Sequence, residues 1–554
     1  MKPTSLRDKL VFLYGEEKGA IAATRLEKLL QENKIETEAT GKNRWDEKDI
    51  ALVTYANSFG EKGTLPLKTL YKFLQKYIGN KLNIIHILPF YPYSSDRGFS
   101  IIDSYQVNKQ FGRWEDIKKI AENYRLMADL VANHVSAKSR WFREFLKVNK
   151  KYQDYFIWFT KENLPSPELL SKVRRGRATS VLTPFETKEG LRYLWTTYSV
   201  GDTSDQIDLN YCNPEVLYEV VAILLNLLKK GVRLIRLDGA GGLWKELGTI
   251  CKHLPKTHEL IKILRIAIQE TCPTAIVFTE TTTATYEERI KYLCDDEASV
   301  IYNFDIAPLI LYSFYTSSAV DLSSFIRRLR LPSSQCTYFN ILDIHDGINV
   351  YSVSHILGED QMKVLYDEVS KRGGEFSYRN LPNGERGVKE MHITWWSAIN
   401  KEGDERFELQ LRKFITSRAI AMTLAGIPAV YYLSLFGSKS DVSAYKKTKH
   451  GRDLNRTNFY FAKLAAKLAN NKSREFKVFS AMMDLVEKRK GYRAFHPSAP
   501  QEILDLDPRV LSLVRGEGKD RVIALFNFSA DRIELKYLEK NYALRPYDFI
   551  WQVL

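Results

Sequence analysis

GVRLIRLDGAGGLWKE, from Gly231 to Glu246, is the stretch whose reading decides the fold. An apolar run, Val232 to Leu237, is broken only by Arg233 and Arg236, ends in Asp238 and runs straight into a glycine-rich turn, Gly239 to Gly242. That pattern describes a buried parallel strand delivering a carboxylate to its C-terminal end, with a segment able to become helical behind it. Arg236 and Asp238 stand two residues apart, so on a strand both side chains point to one face. A cation there keeps the carboxylate ionised and fixes its direction, which a nucleophile requires. A purely structural Asp–Arg pair at a strand end fits the same spacing.

Working outward, seven further runs read as strands: ALVTYANSF (51–59), NIIHILPF (83–90), LMADLVANHV (126–135), AIVFTET (275–281), VIYNFD (300–305), TYFNILDIHD (337–346) and IPAVYYLSLFG (427–437). With LIRLDGA (234–240) they make eight strands separated by amphipathic helical stretches. The spacing predicts an α/β chain folded as a (β/α)8 TIM barrel rather than a doubly wound sheet. Residues 1–48 read as an N-terminal helical extension, and the barrel as 49–136 and 210–495. Two connections exceed an ordinary βα loop, 137–209 after strand three and 350–400 after strand seven, and insertions of that size at the C-terminal face are commonly functional. Short alternating strands over 496–554 predict a small β-sandwich.

Composition narrows the classes. Lys and Arg number 82 against 67 Asp and Glu, a net charge of +15, but the basic residues are scattered and form no block of the kind that marks a nucleic-acid partner. Small anionic substrates suit that excess. Five cysteines without C-x-x-C spacing predict free thiols in a reducing compartment, with neither a disulfide framework nor a zinc site. The first residues carry no signal-peptide pattern, and the uncharged run Ala419 to Gly437 is interrupted by Gly426-Ile427-Pro428, so it reads as helix, tight turn and buried strand rather than a membrane span. The expectation is a soluble cytoplasmic protein, monomer or homodimer, with no cofactor and no bound metal.

Polar residues stand at strand C-termini where a structural sequence would place apolar ones: Asn133-His134, Asp238, Glu280 and His345-Asp346, with Asp96 following strand two in SSDRGFS. Three carboxylates at one barrel mouth are what glycoside chemistry uses. One attacks the sugar carbon, one donates and then removes a proton, and one holds hydroxyls while oxocarbenium-like charge develops.

At this point DLVANH (129–134), RLDG (236–239), the strand end at Glu280 and the pair His345-Asp346 resemble the four signature regions of glycoside hydrolase family 13, the α-amylase family. LPFYPYSSDRGFSIIDSYQV (88–107), YLWTTYSVGDTSDQIDLNY (193–211) and LWKELGTICKHLPKTH (243–258) resemble its sucrose phosphorylase subfamily. LYGEEKG (13–19) and DIALVTYANSF (49–59) bring the chain closest to the glucosylglycerate phosphorylases. The resemblance implies Asp238 as nucleophile, Glu280 as general acid/base and Asp346 as transition-state stabiliser. It implies Arg236, His134 and His345 on the donor glucosyl ring, Asp96 and Arg452 closing its far side, and Phe99 as an aromatic platform. RRGR (174–177) lies where the family carries an Arg-Pro-Arg run, which implies phosphate contacts for Arg175 and Arg177. Lys389, Glu390 and His392 fall in the second insertion, on the acceptor side. The implied reaction moves a glucosyl unit between inorganic phosphate and a small acceptor, glycerate before fructose, fructose 6-phosphate or glycerol. Sucrose or sucrose 6-phosphate phosphorolysis, an α-glucosidase and an inactive barrel serving as a binding subunit stand as alternatives. The GAGG turn after Asp238 departs from the family's bulkier residues there.

Overall fold

A computed structural model of the chain describes all residues except 1–4, 37–43, 199–204, 382–384, 402 and 404. Eight strands close into a barrel in chain order: β1 (Ala51–Thr54), β2 (Ile84–Ile87), β3 (Arg125–Val131), β4 (Val232–Asp238), β5 (Ile276–Thr279), β6 (Val300–Tyr302), β7 (Thr337–Ile341) and β8 (Ile427–Tyr431). The described pairings are parallel, and each of the eight apolar runs supplies one strand. The strands are shorter than the runs. Beyond Ile341 and Tyr431 the chain leaves the ladder, so that Leu342–Asp346 is loop and Tyr432–Phe436 a 3-10 turn. The uncharged run at 419–437 ends the helix Phe407–Thr423, turns at Gly426 (φ +136°) and enters β8. No helix among the described residues is long and apolar enough to cross a membrane.

Contacts divide the chain into two compact units, one of residues 1–44, 87–301 and 378–387, the other of 45–86, 302–377 and 388–554. In the first, β3 and β4 run in register with Arg236 level with Asp129 and Asp238 level with Val131. Arg236 also lies level with Phe278 of β5. The helices α1 (Leu6–Tyr14) and α2 (Glu16–Gln31) pack on α3 (Pro214–Lys229) and α4 (Pro255–Thr271). Leu10, Leu26 and Leu30 are buried there, and Lys9 pairs with Glu259 at 2.9 Å. The N-terminal extension is thus an outer layer over the barrel helices. The insertion after β3 holds an antiparallel sheet of Trp158–Phe159, Gly190–Trp195 and Leu182–Thr187. His134–Ser136 pairs antiparallel with Gln206–Asp208, which brings Asp208 level with His134. Part of the YLWTTYSVGDTSDQIDLNY motif, 199–204, lies outside the described residues.

In the second unit Ile348 pairs with Met391 and Asn349 with Glu390 across an antiparallel ladder. The C-terminal segment forms a four-stranded antiparallel sheet, Gln501–Asp507, Val510–Arg515, Val522–Asn527 and Phe549–Val553, with a hairpin of Ile533–Tyr537 and Lys540–Leu544. Val510, Ile523 and Leu525 of the sheet and Ile533, Leu535, Tyr542 and Leu544 of the hairpin share one apolar core, a small sandwich. The indole N–H of Trp551 donates to Thr423 Oγ1 at 2.8 Å and fastens it to the helix before β8.

Candidate active site

In the first unit the site grows from Arg236, whose guanidinium is 3% exposed at mid-strand. Its Nη1 donates to Asp129 on the neighbouring strand and to Asp238 Oδ1 at 2.8 Å, and its Nη2 lies 3.7 Å from Glu280 Oε2. One cation therefore serves three carboxylates, the geometry a planar guanidinium suits. Glu280 follows the last residue of β5. Its N–H bonds to Leu237 O at 3.0 Å and its Oε2 accepts the Gly239 N–H at 2.9 Å, so the carboxyl is fixed to the turn after Asp238. Its Oε1 is buried and accepts no hydrogen bond among the described residues.

His134 sits at the foot of the first insertion, with Nε2 3.0 Å from Phe99 O. Burial outweighs the charges of Asp208 and Asp96 and lowers its pKa, so the ring is neutral and donates Nε2–H to that carbonyl. The Arg236 guanidinium lies 5.6 Å from the centre of the Phe99 ring. Asp96 and Arg97 both adopt φ of 48°, strained backbone for non-glycine residues.

The GAGG turn has a steric explanation. A Cβ on Gly239 (φ +59°) would lie 3.0 Å from Tyr198 Oη, one on Gly241 2.6 Å from His253 Cε1, and one on Gly242 2.7 Å from Lys252 Nζ. Three side chains occupy the room that larger residues would take. Lys252, 3% exposed, donates to Tyr198 Oη at 2.6 Å. Burial, then the charges of Glu280 and Asp238, raises Tyr198 well above the ordinary phenol range, so it is a neutral hydroxyl. Lys245 Nζ bonds Asp208 at 2.9 Å and Asn133 Oδ1 at 2.8 Å. The sequence reading missed Asp129, Tyr198, Asp208, Lys245 and Lys252. Asp129, a charge inside the apolar run LMADLV, carried a signal; Tyr198 and Asp208 come from the insertion after β3, and Lys245 and Lys252 from the segment after the glycine turn, with no periodicity to join them.

The two arginines of RRGR that were expected at phosphate differ. Arg175 is buried and donates to the carbonyls of Thr179, Thr196 (3.0 Å) and Thr197 (3.3 Å), so its donors hold the insertion's own backbone. Burial pushes it down to about 10. Arg177 is half-buried, and its charge acts on Tyr198. Arg174 pairs with Glu288 at 2.6 Å.

In the second unit Asp346 is held by two guanidiniums and an imidazole: Arg452 Nη1 at 2.9 Å, Arg456 Nη2 at 3.3 Å and His345 Nε2 at 3.3 Å. Burial alone would raise its pKa; the charges of Arg452, His345 and Arg456 outweigh burial and hold it well below the carboxylate range. A Cβ on Gly347 would meet Met391 O at 2.3 Å, so only glycine lets the ladder strand approach the loop at Asp346. Lys389, Glu390 and His392 are 3%, 1% and 4% exposed, which is unlike solvated charges on a loop. Glu390 joins Lys389 Nζ at 2.6 Å to Arg452 Nη2 at 3.3 Å, and His392 Nδ1 lies 3.0 Å from Asp346 O. Burial lowers His392 to about 4. Among the described residues no group of three or more His, Cys, Asp or Glu could hold a metal ion.

Residues 74–358 match the family model of the alpha-amylase catalytic domain. The chain belongs to the alpha-amylase family. Within it, the chain is 39% identical over 558 residues to a glucosylglycerate phosphorylase of Allomeiothermus silvanus, covering 99% of this chain and 98% of that one. It is 35% identical to a glucosylglycerate phosphorylase of Escherichia coli, with 99% of each covered. Among solved structures, a sucrose 6F-phosphate phosphorylase from Thermoanaerobacter thermosaccharolyticum superposes with a TM-score of 0.76 at 27% identity, over 92% of this chain and 98% of that one. The barrel with its small C-terminal sheets is thus the alpha-amylase architecture.

Proposed function

We propose that this protein is a retaining α-glucoside phosphorylase that moves a glucosyl unit between inorganic phosphate and glycerate. The observation that carries the reading is the pair of carboxylates on one guanidinium, Asp238 and Glu280 around Arg236, in a chain alike from end to end to glucosylglycerate phosphorylases.

In the first half-reaction Asp238 Oδ attacks the anomeric carbon as the bond from that carbon to the acceptor oxygen breaks. Glu280 gives its proton to the departing oxygen. Its Oε1, with no hydrogen bond among the described residues, is the oxygen that carries that proton, since Oε2 is engaged by Gly239 N–H. In the second half a phosphate oxygen attacks the same carbon, the ester to Asp238 breaks, and Glu280 takes up the phosphate's proton. Two inversions give α-glucose 1-phosphate. Arg236 orients Asp238 at 2.8 Å and reaches Glu280 at 3.7 Å. Asp346, held as an anion by Arg452, His345 and Arg456, stabilises the cationic sugar. His134, Phe99 and Asp96 hold the donor ring, and Arg177 receives phosphate.

The test is phosphate release from α-glucose 1-phosphate with glycerate, glycerol, fructose, fructose 6-phosphate or water as acceptor. Glycerate is expected to be used fastest, by about 10-fold or more over glycerol, the worth of one charge-assisted contact. Release to water at a rate matching the best acceptor would make the protein a glucosidase; preference for fructose or its phosphate would make it a sucrose-type phosphorylase.

A further inference from the structure

A general acid/base works only if its carboxyl is held where the departing oxygen will be, and a displacement of about 1 Å can cost about 100-fold in rate. Glu280 is held by the turn after Asp238: its Oε2 accepts the Gly239 N–H at 2.9 Å, and its carbonyl accepts the Ala240 N–H at 3.1 Å. Gly239, Gly241 and Gly242 make that turn mostly glycine, the residue with the most backbone freedom to lose. A hold on Glu280 that passes through Gly239 is only as firm as whatever fixes the turn.

His253 and Tyr292 supply such a fixing. The His253 N–H donates to Gly241 O at 2.8 Å, and the Gly242 N–H closes back on Gly239 O at 3.1 Å. The imidazole lies against the same glycine: a Cβ on Gly241 would meet Cε1 at 2.6 Å and Nδ1 at 2.9 Å, with Tyr292 Oη at 3.5 Å. Reaching that position takes strained backbone, since Cys251 and His253 both hold left-handed φ, +50° and +55°. Burial, with the charges of Lys252 and Arg174, outweighs Glu288 and lowers the pKa of His253, so its ring is neutral. Glu288 Oε2, 3.9 Å from Nε2, favours the proton on that nitrogen and leaves Nδ1 to accept the Tyr292 O–H at 2.7 Å. Tyr292 is fully buried, and the ring of His258 stacks on it with 4.3 Å between centroids. Burial raises its hydroxyl well above the ordinary phenol range, so the proton stays on the oxygen.

We infer that His253, pinned by the Tyr292 hydroxyl, is a positioning residue for Glu280, acting through the glycine turn to aim the proton that Glu280 exchanges with the departing oxygen. This rests on the transfer reaction proposed above. Neither His253 nor Tyr292 gives or takes a proton in that reaction. Asp238 has a separate hold, Arg236 on its own strand at 2.8 Å, so the acid and the nucleophile can be disturbed separately.

The test compares kcat/KM for two donors in the wild type, Tyr292→Phe, His253→Ala and His253→Asn, with phosphate as acceptor. For each donor kcat/KM reports transfer of glucose to Asp238. The glycerate of glucosylglycerate leaves as an alkoxide and needs the Glu280 proton, whereas the fluoride of α-glucosyl fluoride departs with little help from an acid. Tyr292→Phe and His253→Ala are expected to lower kcat/KM for glucosylglycerate by about 10- to 100-fold and that for the fluoride by less than about 3-fold. Asn tolerates a left-handed φ and offers an oxygen to the Tyr292 hydroxyl, so His253→Asn is expected to recover part of the loss. Tyr292→Phe removes a single oxygen and stands in if circular dichroism shows that His253→Ala does not fold. Equal falls for both donors in every folded variant, or no fall for either, overturn the inference. A wild type that uses neither donor overturns the proposed reaction and the inference with it. One that uses the fluoride but not glucosylglycerate overturns the proposed acceptor alone, and the ratio is then taken with the alcohol-leaving glucoside it does cleave.

Discussion

Arg236 has to treat two carboxylates differently, and distance is how it does so. At 2.8 Å it aims Asp238; at 3.7 Å it reaches Glu280 less closely, while Gly239 N–H fixes that side chain's orientation. Asp129 is what makes a buried guanidinium tolerable at mid-strand, since a lone charge at 3% exposure would be expensive. The same scale separates Arg175 from Arg177. Arg175→Ala removes the ties to Thr179, Thr196 and Thr197 and is expected to lower the unfolding midpoint and all transfer activities together. Arg177→Ala is expected to weaken phosphate use by about 1.5–3 kcal/mol while hydrolysis of the glucosyl-enzyme changes little. Phosphorolysis and hydrolysis kinetics of the two variants, with urea melts, check this; the opposite pattern would exchange their roles. Nothing in RRGR distinguishes its arginines before folding, because both are cations beside a glycine. Only the folded insertion decides which one spends its donors on backbone.

Among the elements, the barrel strands were legible because a buried parallel strand must be almost wholly apolar, and a run broken by one charge stands out. Arg236 and Asp238 read as a same-face pair from the two-residue period alone. The turn Gly239–Gly242 did not, since its glycines make sense only beside Tyr198 of the insertion after β3 and beside Lys252 and His253, which the same connection folds back against them. The helix α4 and the segment before β6 carry a further consequence. His258 of α4 bonds Glu297 at 2.9 Å, and Glu297 is 1% exposed. Burial pushes its carboxyl up to about 7, against the opposing hydrogen bond and charge of His258. Between the unfolded value of 4.5 and about 7 the folded chain keeps a proton that the unfolded chain has released. This contribution to stability is therefore complete below the window and lost as pH rises through about 7. Glu297→Gln is expected to flatten stability across that window and to exceed the wild type at pH 8 by on the order of 1–3 kcal/mol. Urea midpoints at several pH values measure it, and an unchanged slope in the variant would assign the titration elsewhere.

At the scale of the whole molecule, eight strands, two long connections and a terminal β region could be drawn from periodicity, because each is a local pattern. The packing of α1 and α2 on the barrel helices could not, since it depends on which apolar faces meet. Each of the two compact units carries its own charged cluster, one around Arg236 and one around Asp346. The account's central claim is that glucose is held covalently on Asp238 between the two half-reactions. Incubating the protein with a 2-deoxy-2-fluoro-glucosyl fluoride, which slows release of the sugar, and mapping the labelled peptide by mass spectrometry tests it most directly. The account predicts one fluoroglucosyl group per chain, attached at Asp238, discharged by added phosphate and absent from Asp238→Asn. A label on Glu280 or Asp346, or turnover to β-glucose 1-phosphate with no covalent adduct, would contradict it.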